Sequence, residues 1–368
     1  MRRALELAAR ARGMTSPNPM VGALLVKKGK IISEGYHRKA GTPHAEVIAI
    51  DDAGEKASGA TLYVSLEPCC HRDKRTPPCT QKIISSGIEK VVIAMEDPNP
   101  KVSGKGIEEL KKAGIKVVSG VMEEQARELN EYYIKHITTG MPFVIMKVAM
   151  TLDGKIATPE GESKWITGEK ARGMVHKLRG DVDALMTAIG TVKADNPRLT
   201  CRSGEERSPA RIIIDPDLEI KMNACVLSTP PDTIVVTRKA LLKSRKPGVT
   251  GQSPEREEKK RSLLRKGIRI IEYEGEKVDL PWLMKGLGST GIISLLIEGG
   301  SSLNSYCLEN GIVDKVMFFI APKIIGGRQS FPAVGGGSFR KLQEAHRIKD
   351  LRVRRIGDDI LIEGYVQR

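Results

Sequence analysis

Two short runs, "PHAE" at residues 43–46 and "EPCCHRDKRTPPC" at residues 67–79, constrain the fold more than any other feature. The first holds a His and a Glu two apart, and the second holds three cysteines and another His. Zinc prefers His nitrogen and Cys thiolate, and a catalytic site keeps one of its four positions open. His44, Cys69 and Cys79 are therefore expected as three metal ligands. His44 is predicted at the start of a helix, Cys69 after a strand stopped by Pro68, and Cys79 after Pro77-Pro78 at the start of another helix. Only a fold that brings those three points together satisfies the metal. Helix starts also suit thiolates, because their free N–H groups and dipole favour negative charge.

Glu46 sits close to the metal without being an evident ligand, the place for a proton shuttle. His-x-Glu followed by Pro-Cys and a second Cys is the pattern of zinc deaminases, in which the Glu is the acid/base. The usual second half is Pro-Cys-x-x-Cys, whereas here ten residues separate Cys69 from Cys79. The longer loop can form a lip over the site. A closed structural zinc would instead take Cys70 or His71 as a fourth ligand, and would leave Glu46 without a role. Cys70 is also a rival to Cys69; Cys69 is preferred because it directly follows "EP".

The chain has 368 residues, enough for two domains, and its 40% hydrophobic content is spread along the whole length. No run of about 18 apolar residues occurs, so no membrane span is expected. The start, "MRRALELAARARGM", lacks an apolar signal core and reads as an amphipathic helix. Six cysteines are too few for a disulfide framework in a chain of this length, and a cytoplasmic protein is expected. The net charge of +15 fits either nucleic acid or small phosphorylated ligands. Aromatics are only 4%, with no basic run interleaved with stacking residues.

Strand and helix patterns alternate throughout, which predicts an α/β fold. A helix is expected over 2–13, two strands over 21–36, and a helix over 44–54. A strand over 60–68, a helix over 80–87 and a strand from 89 follow, with a further helix and strand over 104–121. One linking helix is expected over 123–139. A second alternation starts at 143 and closes in a hairpin at about 350–367. The boundary falls near 140, giving domains 1–140 and 141–368. Residues 239–262 are polar without clear period and read as a surface insertion.

The run "TSPNPMVGALLV", "EGYH", "PHAEVIAI", "GATLYVSLEPCCH", "TPPC", "DPNP" and "GKGI" resembles the deaminase half of the bifunctional riboflavin-biosynthesis deaminase/reductase family. The second half resembles its reductase, through "KVAMTLDGKIAT", "GESKWITG", "IGTVKADNPRLTCR" and "LIEGGSSLNSYCLENGIVDKVMFFIAPKIIGG". The resemblance covers nearly the whole chain in family order. It implies a cytidine-deaminase-like α/β/α sandwich followed by a dihydrofolate-reductase-like α/β domain. It also implies Zn2+ held by His44, Cys69 and Cys79, with Glu46 as proton shuttle. The substrate is then a pyrimidine carrying a phosphoribosylamino chain, contacted by Asn18, His37, His71, Arg75, Asp97 and Asn99. The loop is one residue longer than usual and lacks its Gly, so Lys74 competes with Arg75 for the basic contact.

From the residues alone, the second half offers one strong feature: a buried strand ending in Glu298-Gly299-Gly300, then a helix opened by Ser301. Glycines let the backbone approach a ligand, and a helix start offers N–H groups to phosphate, but a plain Gly turn capped by Ser accounts for the motif taken alone equally well. No GxGxxG fingerprint occurs. The resemblance implies NADPH all the same, lined by Ala149, Trp165, Thr191, Asp195, Gly300, Ser301, Ser302, Leu303, Asn304, Ser305 and Tyr306. It implies substrate contacts from Lys147, Ser163, Arg179, Leu199, Arg202 and Glu298. A homo-oligomer, dimer or tetramer, is expected, with no nucleic-acid or membrane partner. Two other readings compete, a nucleic-acid deaminase and a zinc-stabilised binding protein. The first leaves the long second half unexplained, and the second predicts four protein ligands.

Overall fold

A computed structural model describes residues 1–71, 77–202, 207–228, 230–239, 254–337 and 341–367. The chain forms two compact units, Met1–Met141 and Pro142–Arg368.

The first unit holds strands β1 (Gly22–Lys27), β2 (Lys30–Tyr36), β3 (Thr61–Leu66), β4 (Lys90–Met95) and β5 (Lys116–Val118) in the order β2-β1-β3-β4-β5. β1 runs antiparallel to β2 and β3, while β3, β4 and β5 are parallel. The helices are α1 (Arg2–Ala9), α2 (Ala45–Ala53), α3 (Cys79–Ser85), α4 (Lys105–Lys112), α5 (Glu123–Leu129) and α6 (Glu131–Thr139). Alternation along the strands sends Ala23, Leu25, Leu62, Val64 and Ile93 to one face, where they pack with Ala49, Ile50, Ile83 and Leu110. Leu24 joins Ala4 and Leu7, and Leu66 and Met95 join Ala126, in separate clusters. The sheet is thus covered on both faces. A fully buried Leu or Ile contributes about 1.5–3 kcal/mol, so this core holds the strand ends firmly. Gly35 allows a close approach that matters for the site. A Cβ there would lie 2.4 Å from the Ala45 carbonyl oxygen, so the bare backbone lets the start of α2 lie against β2.

The linking segment is not the single helix expected over 123–139. It breaks at Asn130 into α5 and α6, because Asn130 turns its side chain to Met20 instead of continuing the helical run.

The second unit contains a sheet of nine strands: β6 (Phe143–Thr151), β8 (Ala184–Ala188), β9 (Ala210–Ile214), β10 (Thr233–Arg238), β11 (Arg269–Tyr273), β12 (Ser294–Ile297), β13 (Lys315–Ala321), β15 (Ile348–Ile356) and β16 (Asp359–Val366). Their order is β11-β10-β9-β8-β12-β6-β13-β16-β15, parallel up to β13 and antiparallel beyond. The short strands β7 (Lys155–Ala157) and β14 (Phe331–Pro332) pair separately. The helices are α7 (Glu169–Asp181), α8 (Ile189–Asp195), α9 (Pro254–Arg265), α10 (Leu280–Ser289) and α11 (Ser301–Glu309). The chain leaves central β6, builds β8 to β11 on one side, and returns through β12 between β6 and β8. Ligands in such sheets lie at the carboxyl ends of the strands near the reversal.

The expected surface insertion over 239–262 needs correction at its end. Residues 254–262 lie in α9, which buries Arg256, Lys260 and Leu263. The polar side chains hid the period: Arg256 donates to Thr237 Oγ1 and the Arg238 carbonyl, and Lys260 pairs with Glu257. Residues 240–253 lie outside the described residues.

Candidate active sites

In the first unit, β3 ends at Leu66 and delivers Cys69; α2 starts at Ala45 with His44 as its cap; α3 starts with Cys79. Their ligand atoms all lie within 4.8 Å of one another. His44 Nδ1 is 3.2 Å from Cys79 Sγ and 3.5 Å from Cys69 Sγ. Tetrahedral zinc with ordinary Zn–S and Zn–N bonds sets N···S at roughly 3.5 Å, so the three side chains are spaced for that ion. The Cys79 amide also donates to Cys69 Sγ at 3.5 Å, which favours a thiolate there. Cys70 is not part of the cluster.

Glu46 lies in the first turn of α2 and is 3% exposed. Its Oε2 is buried with no hydrogen-bond partner among the described residues. A buried carboxyl oxygen without a partner is costly, so a ligand or water is its natural complement. Burial, and next the nearby Cys69, push its carboxyl above the usual carboxylate range. Such a group is suited to holding a proton.

His37, at the end of β2, places Nδ1 3.2 Å from the Pro43 carbonyl and Nε2 3.1 Å from Asn18 Nδ2. Both contacts are satisfied when Nδ1 carries the proton and Nε2 accepts. Burial lowers the ring's pKa, consistent with a neutral imidazole. Its ring meets that of His44 edge-on at 5.4 Å. Asp97 and Asn99 follow β4, where Asn99 N donates to Asp97 Oδ1 at 2.9 Å in an Asx turn. Asp97 is 6% exposed, and burial chiefly pushes its carboxyl up to about 6. The Asn99 amide and the Tyr133 hydroxyl pull it partly back. His71 sits at the edge of a described segment, while Arg75 and Lys74 lie outside the described residues.

Glu67 was not among the expected site residues. This residue is 3% exposed, and its Oε2 accepts from Asp97 N at 3.1 Å and Gly104 N at 3.0 Å. Its Oε1 accepts from Ile107 N at 3.1 Å. One carboxyl group thus joins the strand that carries Cys69, the turn of Asp97 and the start of α4. Gly106 permits this: a Cβ there would lie 2.2 Å from the Pro68 carbonyl oxygen. The recoverable signal was the pair "EP" and "GKGI", an acid and a glycine-bearing helix start.

In the second unit, Glu298 follows β12 and gathers two cations. Arg179 of α7 grips it with Nε on Oε1 at 2.6 Å and Nη2 on Oε2 at 3.0 Å, and Lys147 of β6 reaches Oε2 at 3.1 Å. Burial alone would raise the Glu298 carboxyl; the Arg179 and Lys147 charges more than offset it and hold it far below its usual range. Arg179 also donates to the Thr200 carbonyl at 3.2 Å, tying the 199–202 segment to the cluster. Leu199 is buried with φ +54°, and Arg202 is exposed. Lys147, Arg179 and Glu298 are thus brought together where β12 ends beside the middle of β6.

The residues expected around a cofactor divide. Gly300 lies beside Thr191, with a modest 3.9 Å from its notional Cβ to Thr191 Oγ1. Lys164, between Ser163 and Trp165, pairs with Asp195 at 3.7 Å. Trp165 is 62% exposed and stacks under the Arg172 guanidinium at 4.5 Å, a half-open aromatic face. Ala149 is partly buried on β6, and Ser302 is exposed. Ser301 Oγ is buried with no partner among the described residues. Leu303, Asn304 and Ser305 instead point into the protein: Asn304 donates to the Ala333 carbonyl and Ser305 to Glu309 Oε1. Tyr306 donates to the Val278 carbonyl. Those four side chains are engaged by the fold itself, whereas Ser302 is exposed at the start of α11.

Comparison with known proteins agrees with both halves. Residues 1–95 match the cytidine and deoxycytidylate deaminase zinc-binding region, and residues 142–362 match the RibD C-terminal domain. The riboflavin biosynthesis protein RibD of Aquifex aeolicus is 45% identical over 364 residues, covering 98% of this chain and 96% of that protein. Its Escherichia coli counterpart is 40% identical, covering 98% and 97%. Among solved structures, RibD of Acinetobacter baumannii aligns with a TM-score of 0.86 at 37% identity, covering 100% of this chain and 98% of that one. A Thermotoga maritima diaminohydroxyphosphoribosylaminopyrimidine deaminase/5-amino-6-(5-phosphoribosylamino)uracil reductase aligns at 0.84 and 37%, covering 100% and 97%. The fold class is therefore the expected one, a cytidine-deaminase-like sandwich followed by a reductase α/β domain.

Proposed function

Taking as premise that this chain belongs to the RibD family of riboflavin-biosynthesis proteins, we propose how its residues divide the work of two reactions. The enzyme is bifunctional. It deaminates 2,5-diamino-6-(5-phosphoribosylamino)pyrimidin-4-one, then reduces the ribosyl chain with NADPH to give 5-amino-6-(5-phosphoribitylamino)uracil. The convergence of His44 Nδ1, Cys69 Sγ and Cys79 Sγ beside the buried Glu46 carries the reading.

His44, Cys69 and Cys79 hold Zn2+, which when bound supplies a Lewis acid able to bring a water's pKa to about 7. Glu46 takes a proton on Oε2 and returns it to the departing amine. Asn18 and neutral His37 form one wall for the pyrimidine, and Asp97 and Asn99 the other. His71 and Arg75, which lie in sequence between the two cysteine ligands, complete the substrate contacts, and a guanidinium suits the substrate phosphate through charge-assisted bonds.

In the second unit, NADPH supplies the hydride. Gly300–Ser302 with Ala149, Thr191, Asp195 and Trp165 receive the cofactor, while Leu303–Tyr306 support that helix start from behind. Lys147 and Arg179, oriented by Glu298, face the phosphorylated substrate with Ser163, Leu199 and Arg202. Domain limits of 1–140 and 141–368 are part of the proposal. So are a cytoplasmic location, consistent with six free cysteines, and a homo-oligomer, dimer or tetramer, that binds no nucleic acid. No described helix is long and apolar enough to cross a membrane.

The test supplies the diaminopyrimidine with and without NADPH and follows ammonia release and NADPH oxidation separately. Ammonia release without NADPH, followed by NADPH oxidation on the deaminated product, is expected. NADPH oxidation with no prior ammonia release would contradict the order.

A further inference from the structure

The helix pair at the end of the first unit reaches back into the deaminase site. Asn130, at the break between α5 and α6, is 2% exposed. Its Oδ1 accepts from Met20 N at 2.8 Å, and its Nδ2 donates to Met20 O at 3.0 Å. An amide that satisfies both polar groups of one distant residue fixes that residue's position. Met20 stands two residues beyond Asn18, which meets His37. About one turn along α6, Tyr133 is 7% exposed and donates its hydroxyl to Asp97 Oδ1 at 2.8 Å. One short helix therefore touches both walls: the Asn18 side through Asn130, and the Asp97–Asn99 turn through Tyr133.

Phenylalanine would fill the same space. A buried hydroxyl costs stability unless it is bonded, so its presence calls for a reason. The bond to Asp97 restricts that carboxyl to one orientation. Among the described residues, the ionisable groups that act on Asp97 beside Tyr133 include Glu67 and Cys69, both acidic, and neither can donate from an ionised state. Among the described residues, Tyr133 is thus the side-chain donor that steadies this carboxyl alongside the Asn99 amide.

We infer that Tyr133 is a positioning residue for deamination, its hydroxyl orienting the Asp97 carboxyl toward the pyrimidine while Asn130 anchors the helix that carries it. This rests on Asp97 being a substrate contact, as proposed above.

The test uses the full-length, zinc-loaded enzyme with Tyr133→Phe, Asp97→Asn and the double variant. In Tyr133→Phe, KM for the diaminopyrimidine rises about tenfold, the effect of one hydrogen bond to a charged group. Its kcat changes by less than about twofold, and NADPH oxidation on the deaminated substrate stays at the wild-type rate. The double variant has the KM of Asp97→Asn alone, because the two groups act as one unit. A tyrosine serving only the fold would lower the active fraction, and with it apparent kcat, at constant KM. If KM in Tyr133→Phe stays within about twofold of wild type while Asp97→Asn raises it, the inference falls and the role of Asp97 stands. Additive effects in the double variant also overturn it. An unchanged KM in Asp97→Asn refutes the reading of Asp97, and the inference with it.

Discussion

Replacing Glu67 by Gln isolates what one buried carboxyl group does for the deaminase site. Three backbone amides point at its two oxygens: Asp97 and Gly104 at Oε2, Ile107 at Oε1. Glutamine keeps one acceptor and turns the other into a donor. With its oxygen toward Asp97 and Gly104, its NH2 faces the Ile107 amide, donor against donor. Two buried donors are then left unmet, at about 1–3 kcal/mol each. Losing an anion at the start of α4 adds about 0.3–1 kcal/mol. The total is roughly 4 kcal/mol, a large part of the ~5–15 kcal/mol that holds a domain together. In a unit of this size that corresponds to a fall of roughly 10 °C or more in unfolding temperature. The assay heats the zinc-loaded enzyme in steps and measures residual ammonia release and residual NADPH oxidation. The deaminase midpoint should fall by that amount while the reductase midpoint stays. Midpoints within about 2 °C of wild type for both, or an equal fall in both, would refute the reasoning.

Glu46→Ala should lower ammonia release by at least about a hundredfold, with zinc content by metal analysis and NADPH oxidation unchanged. Glu298→Ala strips Arg179 and Lys147 of their shared carboxylate; breaking a buried pair costs about 3–5 kcal/mol, so NADPH oxidation should weaken while ammonia release persists. Loss of both activities would show that the two sites are not separable. Asp97 gives a pH dependence. Its carboxyl, raised from 3.8 to about 6, takes up a proton as pH falls through about 6, so deaminase KM should climb between pH 7 and pH 5. Stability moves the other way. Because the folded pKa is the higher one, the Asp97 contribution is fully present below 3.8 and is lost as pH rises through about 6. Asp97→Asn should flatten that limb of the KM profile.

What the sequence made legible was local. His44, Cys69 and Cys79 stand at a helix start, a strand end and another helix start, each marked by Pro or by a change of period, and a shared metal demands that they meet. Glu46 followed from its spacing to His44. The Glu298-Gly299-Gly300 turn was visible as the end of an apolar run. Contacts between distant backbone groups were not. Glu67 meets amides 30, 37 and 40 residues away, and Asn130 reaches Met20 across 110 residues, with no periodicity to announce either. The break at Asn130 was hidden because the flanking segments both read as helix. α9 was hidden for the opposite reason, since its buried face carries Arg256 and Lys260. On α11, the inward turn of Leu303, Asn304 and Ser305 depends on the Ala333 carbonyl and Glu309, which a motif read as a block does not reveal.

The central claim is a zinc site with three protein ligands and one open position beside Glu46. Anomalous diffraction at the zinc edge from crystals of the zinc-loaded enzyme tests it directly. The account predicts a single peak bonded to His44 Nδ1 and to the Sγ atoms of Cys69 and Cys79, with a water in the fourth position on the Glu46 side. A fourth protein ligand, Cys70 or His71, would close the site and contradict it.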